Sequence, residues 1–189
     1  HQVVRRQRQM CIRDSLTTGD TAYIDSTVID GEESTSAATF ISGEDSTSVL
    51  VGLSLTNGYT TINGGGGIRI ENSDPRLKNL KVFSNFANIG GGGISCEACD
   101  SRITNVTINN NSSSGKGGGI RIFNGSNPEL IDVAINSNSS TEQGGGISIE
   151  GLPGNNIDLD FNRLTVQENT SATVGGCLLY TSPSPRDSR

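Results

Sequence analysis

Apolar and polar positions along this chain fall into two columns that keep step with each other. The first is Gly-Gly-Gly-Ile followed by alternating residues, with its isoleucine at Ile68, Ile94, Ile120 and Ile147, so its steps are 26, 26 and 27 residues. The second, apolar-x-x-apolar-x-apolar, opens at Leu50, Leu77, Ile103, Leu130 and Phe161. It continues through Leu53 and Leu55, Leu80 and Val82, Val106 and Ile108, Val133 and Ile135, and Leu164 and Val166. A fixed period of this length marks a solenoid, whose units bury their apolar faces only by stacking on their neighbours. Alternation within the columns predicts strands, as in Ile68-Arg69-Ile70 and Ile120-Arg121-Ile122, inward, outward, inward. Three short strands per coil are expected: one after the glycines, a brief one around Leu77 or Ile103, and one that ends before the next Asn.

That Asn stands at a constant offset in four copies, Asn85, Asn111, Asn138 and Asn169, with Gly58 in its place in the first. Stacking would bring the amides into one structural ladder. Asn tolerates left-handed turn geometry, and amides spaced by the strand separation of about 4.8 Å can hydrogen-bond along the column. The last glycine of each run, Gly67, Gly93, Gly119 and Gly146, is expected to supply a turn with positive φ and close packing of successive coils.

Leu-x-x-Leu-x-Leu-x-x-Asn is also the strand half of a leucine-rich repeat, whose period overlaps this one. Such a repeat needs helical residues after the Asn, yet Asn85 to Ile94 reads Asn-Phe-Ala-Asn-Ile-Gly-Gly-Gly-Gly-Ile. Each glycine there would cost a helix roughly 1 kcal/mol relative to alanine. The segment after the glycines alternates again, and an all-β coil remains.

These strands, with Asn72-Ser73-Asp74-Pro75 and Asn124-Gly125-Ser126-Asn127-Pro128, resemble the right-handed parallel β-helix family with the pectin-lyase-like fold. Within it they resemble the repeats of polymorphic outer-membrane and related bacterial surface proteins. The resemblance covers about Leu16 to Gly176. It implies a right-handed parallel β-helix of about six coils and a secreted or cell-surface location. It does not imply one activity, because that fold carries lyases, glycosidases, adhesins and passenger domains alike.

The ends do not follow the pattern. Residues 1–15 are basic and aperiodic, and residues 177–189 begin where the repeat should continue; both resemble translated sequencing-adapter text and are expected to be non-native. The body, 16–176, is expected to start and stop inside a coil, as a fragment whose signal peptide lies elsewhere and whose uncapped coils would associate end to end. No run of apolar residues is long enough for a transmembrane helix.

Removing the ends changes the charge. Of 14 basic and 20 acidic residues, six and two lie in the ends, so the body carries 8 minus 18, or −10. That opposes sequence-independent binding of nucleic acid. Two of the four cysteines also leave, and Cys96 and Cys99 remain. Cys96 aligns with Ile70, Ile122 and Ile149, which makes it a small buried apolar residue; a loop-closing bond to Cys99 is the alternative. Two cysteines alone make neither a zinc site nor, away from a helix start, a redox motif.

Candidate chemistry is sparse. His1 is the only histidine, so no histidine triad or histidine-metal site can be built. Glycoside hydrolysis needs two carboxylates flanking one bond; Asp158 and Asp160 alternate near the last coil, and Asp132 shares a column with Asn79 and Asn105, both read as solvated turn charges. No catalytic residue and no metal ligand is assigned, and no cofactor is expected. The resembled lyases use calcium, but the glycine runs lack the calcium-binding solenoid form. The best surface row is Arg69 and Arg121, pointing outward two coils apart with Ser95 between them and Ser148 beyond. Such a pair could grip the carboxylates or sulfates of an acidic glycan, or simply balance nearby Glu.

The expected function is a non-catalytic extracellular stalk or adhesin that presents loops to glycans or to host or cell-surface proteins. The alternatives are a fragment of a polysaccharide lyase or glycoside hydrolase with its catalytic coils elsewhere, and a glycan-binding module.

Overall fold

A computed structural model describes residues 24–151 and 159–181. The end segment 1–15, the part of the tail beyond Thr181, and Asp158 lie outside the described residues. In chain order the strands are β1 Val28–Asp30, β2 Ala38–Phe40, β3 Val49–Thr56, β4 Tyr59–Thr60, β5 Ile68–Glu71, β6 Arg76–Phe83, β7 Phe86–Ala87, β8 Ile94–Glu97 and β9 Arg102–Asn109. They continue with β10 Ser112–Ser113, β11 Ile120–Phe123, β12 Glu129–Asn136, β13 Ser139–Ser140, β14 Ile147–Glu150, β15 Phe161–Asn162, β16 Thr165–Gln167, β17 Thr170–Ser171 and β18 Leu178–Thr181.

Each strand pairs in parallel with the strand one coil away, and this generates three sheets. The first runs β1-β3-β6-β9-β12-β15, with β16 also on β12; the second β4-β7-β10-β13-β17; the third β2-β5-β8-β11-β14-β18. Five turns therefore carry all three strands, after a partial turn that carries β1 and β2. The chain is a parallel β-solenoid, with no helix among the described residues. The register is that of the repeat: Ile68 pairs with Ile94, Ile94 with Ile120, and Ile120 with Ile147. Leu178–Thr181, assigned to the tail on sequence grounds, stands in the same register on Ile147–Glu150.

The division into strands differs from the expected one. The brief strand near Leu77 and the strand ending before the Asn are a single eight-residue strand, β6, and likewise β9 and β12. The third strand is the two-residue piece after the Asn. In a plain strand Leu77 and Leu80 would face opposite sides, yet both are buried. The phase is reset by one left-handed residue between them: Gly52, Asn79, Asn105, Asp132 and Arg163 have φ between 52° and 73°. Asn and Asp reach that region at little cost, which accounts for the column they share.

The core is a thin stack with a fixed cross-section. Each coil from β3 to β14 contributes three apolar residues from the long strand and two from the strand after the glycines; Leu77, Val82, Ile94, Ile103, Ile108, Ile120, Ile122, Leu130, Ile135 and Ile147 are all fully buried. From the two-residue strand only a small side chain enters, Ala87, Ser113 or Ser140.

Asn85, Asn111, Asn138 and Asn169 fill the corner between the long and the two-residue strand, 7% exposed or less. Asn85 Nδ2 donates to Asn111 Oδ1 at 2.9 Å, Asn111 Nδ2 to Asn138 Oδ1 at 3.0 Å, and Asn138 Nδ2 to Asn169 Oδ1 at 2.9 Å. Each Oδ1 also accepts a backbone N–H from the preceding coil, as from Asn85 N to Asn111 and Asn111 N to Asn138. Sequence led to left-handed geometry at the ladder Asn itself, but it belongs to the residue before it, at Asn57, Ser84, Asn110, Ser137 and Glu168. That reversal turns the chain so the amide points inward.

The glycines divide the labour in a way the sequence did not assign. Positive φ belongs to the first of the aligned three, as at Gly91 (63°) and Gly117 (69°). The last, Gly67, Gly93, Gly119 or Gly146, is needed for space instead. A Cβ on Gly93 would lie 2.7 Å from Gly119 O, 2.8 Å from Ile108 Cγ2 and 3.0 Å from Asn111 Nδ2. Glycine run and Asn ladder thus occupy one joint space.

Candidate functional site

Outward positions of β5, β8, β11 and β14 form two rows across the third sheet. One is Arg69, Ser95, Arg121 and Ser148; the next is Glu71, Glu97, Phe123 and Glu150. The loop before the glycines rises beside them, and its Ile62 and Ile89 are exposed, 78% and 46%. Together these elements enclose a groove of about 220 Å³ lined by Ile62, Asn63, Arg69, Ser95, Ile89, Glu97, Arg121 and Phe123 among others. Alternation at i and i+2 along each strand puts Arg69 beside Glu71 and Arg121 beside Phe123.

Both arginines expected from sequence line this groove, and neither projects freely into solvent. Arg69 pairs with Glu71, and with the Asn63 amide turned to satisfy both its ends, its oxygen accepts from Arg69 Nη1 at 3.2 Å. Arg121 pairs with Glu150 at 2.7 Å, and Lys116 reaches the same carboxylate at 3.0 Å. The Arg121 guanidinium also lies over the Phe123 ring, 4.2 Å from its centroid, a cation–π contact. Ser95 between the arginines and Ser148 beyond Arg121 are buried. Glu97 accepts from Asn124 Nδ2 at 2.9 Å. The groove therefore offers two fixed guanidinium groups, one carboxylate and an aliphatic wall.

Sequence reasoning found the arginine row and missed Ile62, Ile89, Glu97, Phe123 and the Lys116–Glu150 contact. The i+2 neighbours were available from alternation alone. The loop isoleucines were not, because they do not share a register: Ile62 stands two residues before Gly64 and Ile89 one before Gly90.

Glu150 carries the clearest electrostatic signature. Burial pushes its carboxyl up, but hydrogen bonds and charges from Arg121 and Lys116 outweigh that, and the net shift is below the usual 4.5. A lowered folded-state value means that this stabilisation is present in full above the unfolded value and is lost as pH falls through the folded one. Glu150→Gln should lower stability at pH 7 by about 1 kcal/mol. The urea midpoints of the two proteins should converge as pH falls through the lowered folded-state value of Glu150.

Elsewhere the cationic residues gather on β6 and β9, where Arg76 and Arg102 are register partners, Lys81 binds Asp25 at 2.8 Å and Arg102 binds Glu129 at 2.9 Å. Asp132 is paired with Arg163. Among the described residues no group of His, Cys, Asp and Glu is arranged to hold a metal ion, and no helix is long and apolar enough to cross a membrane.

Cys96 and Cys99 are both buried and joined by a disulfide. Cys96 keeps its place in the core column, so the buried apolar residue and the loop closure, weighed as alternatives, occur together.

Residues 105–122 match the Chlamydia polymorphic membrane protein repeat. The stretch runs from the left-handed Asn105 through ladder residue Asn111 and the glycine run to the inward Ile120 and Ile122, the elements that make one coil close on the next. No curated protein and no solved structure matches the chain. With its parallel coils, the chain is a β-helix repeat protein similar in this stretch to a surface, outer-membrane type of repeat.

Proposed function

We propose that the protein is a non-catalytic, cell-surface or secreted β-helix body that presents its loops and the arginine groove to glycans or to proteins of another surface. The repeat match supports a location at the outer membrane or beyond it. The buried disulfide is in keeping with an oxidising compartment.

The observation that carries the non-catalytic reading is the state of the carboxylates. Hydrogen bonds from Ser42 and Ser73 lower Glu44, Thr47 lowers Asp45, Arg163 lowers Asp132, and Arg121 with Lys116 lowers Glu150. A glycosidase acid needs the opposite, a carboxyl held above its usual range. Among the described residues, each carboxylate that is shifted is instead held ionised by a turn or a cation.

Glycan binding without catalysis is the second reading, favoured by Arg69 and Arg121 in one groove. Their outer edges suit a carboxylate or sulfate, and Ile62 and Ile89 suit the apolar face of a sugar ring. A panel of uronate, sulfated and neutral polysaccharides separates the readings. The purified protein should release neither unsaturated products nor reducing ends from any of them. If it retains an acidic glycan, Arg69→Ala with Arg121→Ala should weaken retention at least tenfold, about 1.4 kcal/mol. Turnover of any polysaccharide defeats the non-catalytic reading, and retention unchanged in the double variant removes the groove from the account.

A further inference from the structure

The corner that leads from the strand after the glycines into the long strand is built by three successive coils, and one of them is built differently. In the first, Asn72 takes the left-handed position with φ 49°, buried Ser73 Oγ donates to Glu71 O at 3.0 Å, and Pro75 ends the turn. In the third, Asn124 takes that position with φ 62°, buried Ser126 Oγ donates to Phe123 O at 2.6 Å, and Pro128 ends the turn. Each turn is specified three times over: by a residue that tolerates positive φ, by a hydroxyl that ties the loop to its own backbone, and by a proline that limits the unfolded chain.

The middle coil has none of these. Ala98 stands where its neighbours have Asn, at φ 47°, a region sterically disfavoured for alanine. Ser101 stands where they have proline, fully buried with its hydroxyl unpartnered. Cys99 stands where they have serine, and the corner is closed by its bond to Cys96 instead. Ser126 confirms the equivalence from the next coil, since its Oγ accepts from Cys99 N at 3.0 Å. Between the two cysteines lies Glu97, the carboxylate wall of the groove.

We propose that the Cys96–Cys99 disulfide is a redox-set clasp: it holds the Glu97 corner of the groove in the one coil whose own residues do not specify that turn. A dithiol opens it in a balanced exchange. The Cys96–Cys99 S–S bond breaks and each sulfur takes a proton, while the dithiol gives up two electrons and two protons to become a cyclic disulfide. With the bond open, Ala98 is free to leave its left-handed conformation and Glu97 moves with it, while the corners at Asn72 and Asn124 keep their serine and proline closures. The inference does not depend on what the groove binds.

The test uses the full chain with its other thiols alkylated beforehand, and follows amide hydrogen exchange with and without dithiothreitol. Exchange at residues 97–101 should accelerate about tenfold or more on reduction, with 71–75 and 123–128 unchanged. A second protein, Cys96→Ile, Ala98→Asn, Cys99→Ser and Ser101→Pro, writes the neighbouring corners' grammar into the middle coil. It should fold, match the oxidised protein in protection and ignore the reductant. Three results would each overturn the clasp: unchanged exchange in the reduced protein, equal loosening of all three corners, or a bond that dithiothreitol opens only when the whole solenoid unfolds.

Discussion

Gly119→Ala is expected to destabilise the protein by about 3 kcal/mol, although glycine-to-alanine is often neutral or favourable. The added Cβ would lie 2.6 Å from Gly146 O, 2.8 Å from Ile135 Cγ2 and 3.1 Å from Asn138 Nδ2. The first contact is with the backbone of the next coil, which cannot move without opening the parallel ladder in which Gly118 N donates to Gly144 O and Gly119 N to Gly145 O. The third is with the Asn ladder. One methyl group therefore strains both systems that fix the rise from coil to coil. Gly43→Ala is the control: with φ 74° and nothing within 4 Å of the new Cβ, it should cost only about 1 kcal/mol. Urea midpoints of the two variants measure the contrast, and equal losses would mean that the glycine run is a conformational turn rather than a packing surface.

Asn111→Leu should cost more, about 4 kcal/mol. Asn111 Oδ1 accepts from Asn85 N and from Asn85 Nδ2, and its Nδ2 donates to Val82 O and to Asn138 Oδ1. Leucine satisfies none of these. Asn85 keeps Leu55 O and Phe83 O for its amide, and Asn138 Oδ1 keeps Asn111 N. The Asn85 backbone N–H and Val82 O lose this side-chain partner in a dry corner, and each buried unsatisfied group costs about 1–3 kcal/mol. The leucine brings apolar area to the core, but that gain of about 1.5–3 kcal/mol requires it to fit, and the Gly93 backbone packs closely on the Asn111 amide, with a Cβ built there only 3.0 Å from Nδ2. A loss within about 0.5 kcal/mol would show that water reaches the column.

What could be read from the chain, and what could not, divides along a physical line. Period and alternation fix which residues face inward, so Ile68, Ile94, Ile120 and Ile147 and the three apolar positions of each long strand were legible from spacing alone. Strand boundaries were not, because one left-handed residue such as Asn79 or Asp132 continues a strand while resetting its phase, and in sequence that looks like a break. The left-handed geometry expected of the ladder column belongs to other residues, because two Asn columns exist and their roles differ: Asn79 and Asn105 bend the strand, whereas Asn85 and Asn111 have their amides inside. The three glycines of each run look alike on paper, and only the packing shows that the first is there for its φ and the last for its missing Cβ. The arginine row was visible from register, while its pairing with Glu71 and Glu150 depended on how far each side chain leans. The corner closures at Ser73 and Ser126 were hidden for a related reason, and of the three only the bond to Cys99 was weighed from spacing. A hydroxyl and a disulfide perform the same task there, and no periodicity of one residue type records it.

Successive coils are locked by a buried, continuous column of Asn side-chain amides. Hydrogen exchange of the side-chain amide protons, resolved by NMR, tests it most directly. The Nδ2 protons of Asn85, Asn111 and Asn138 should exchange orders of magnitude more slowly than those of the exposed Asn88, Asn124 and Asn127. Exchange of the ladder protons at the rate of the exposed amides would contradict the account.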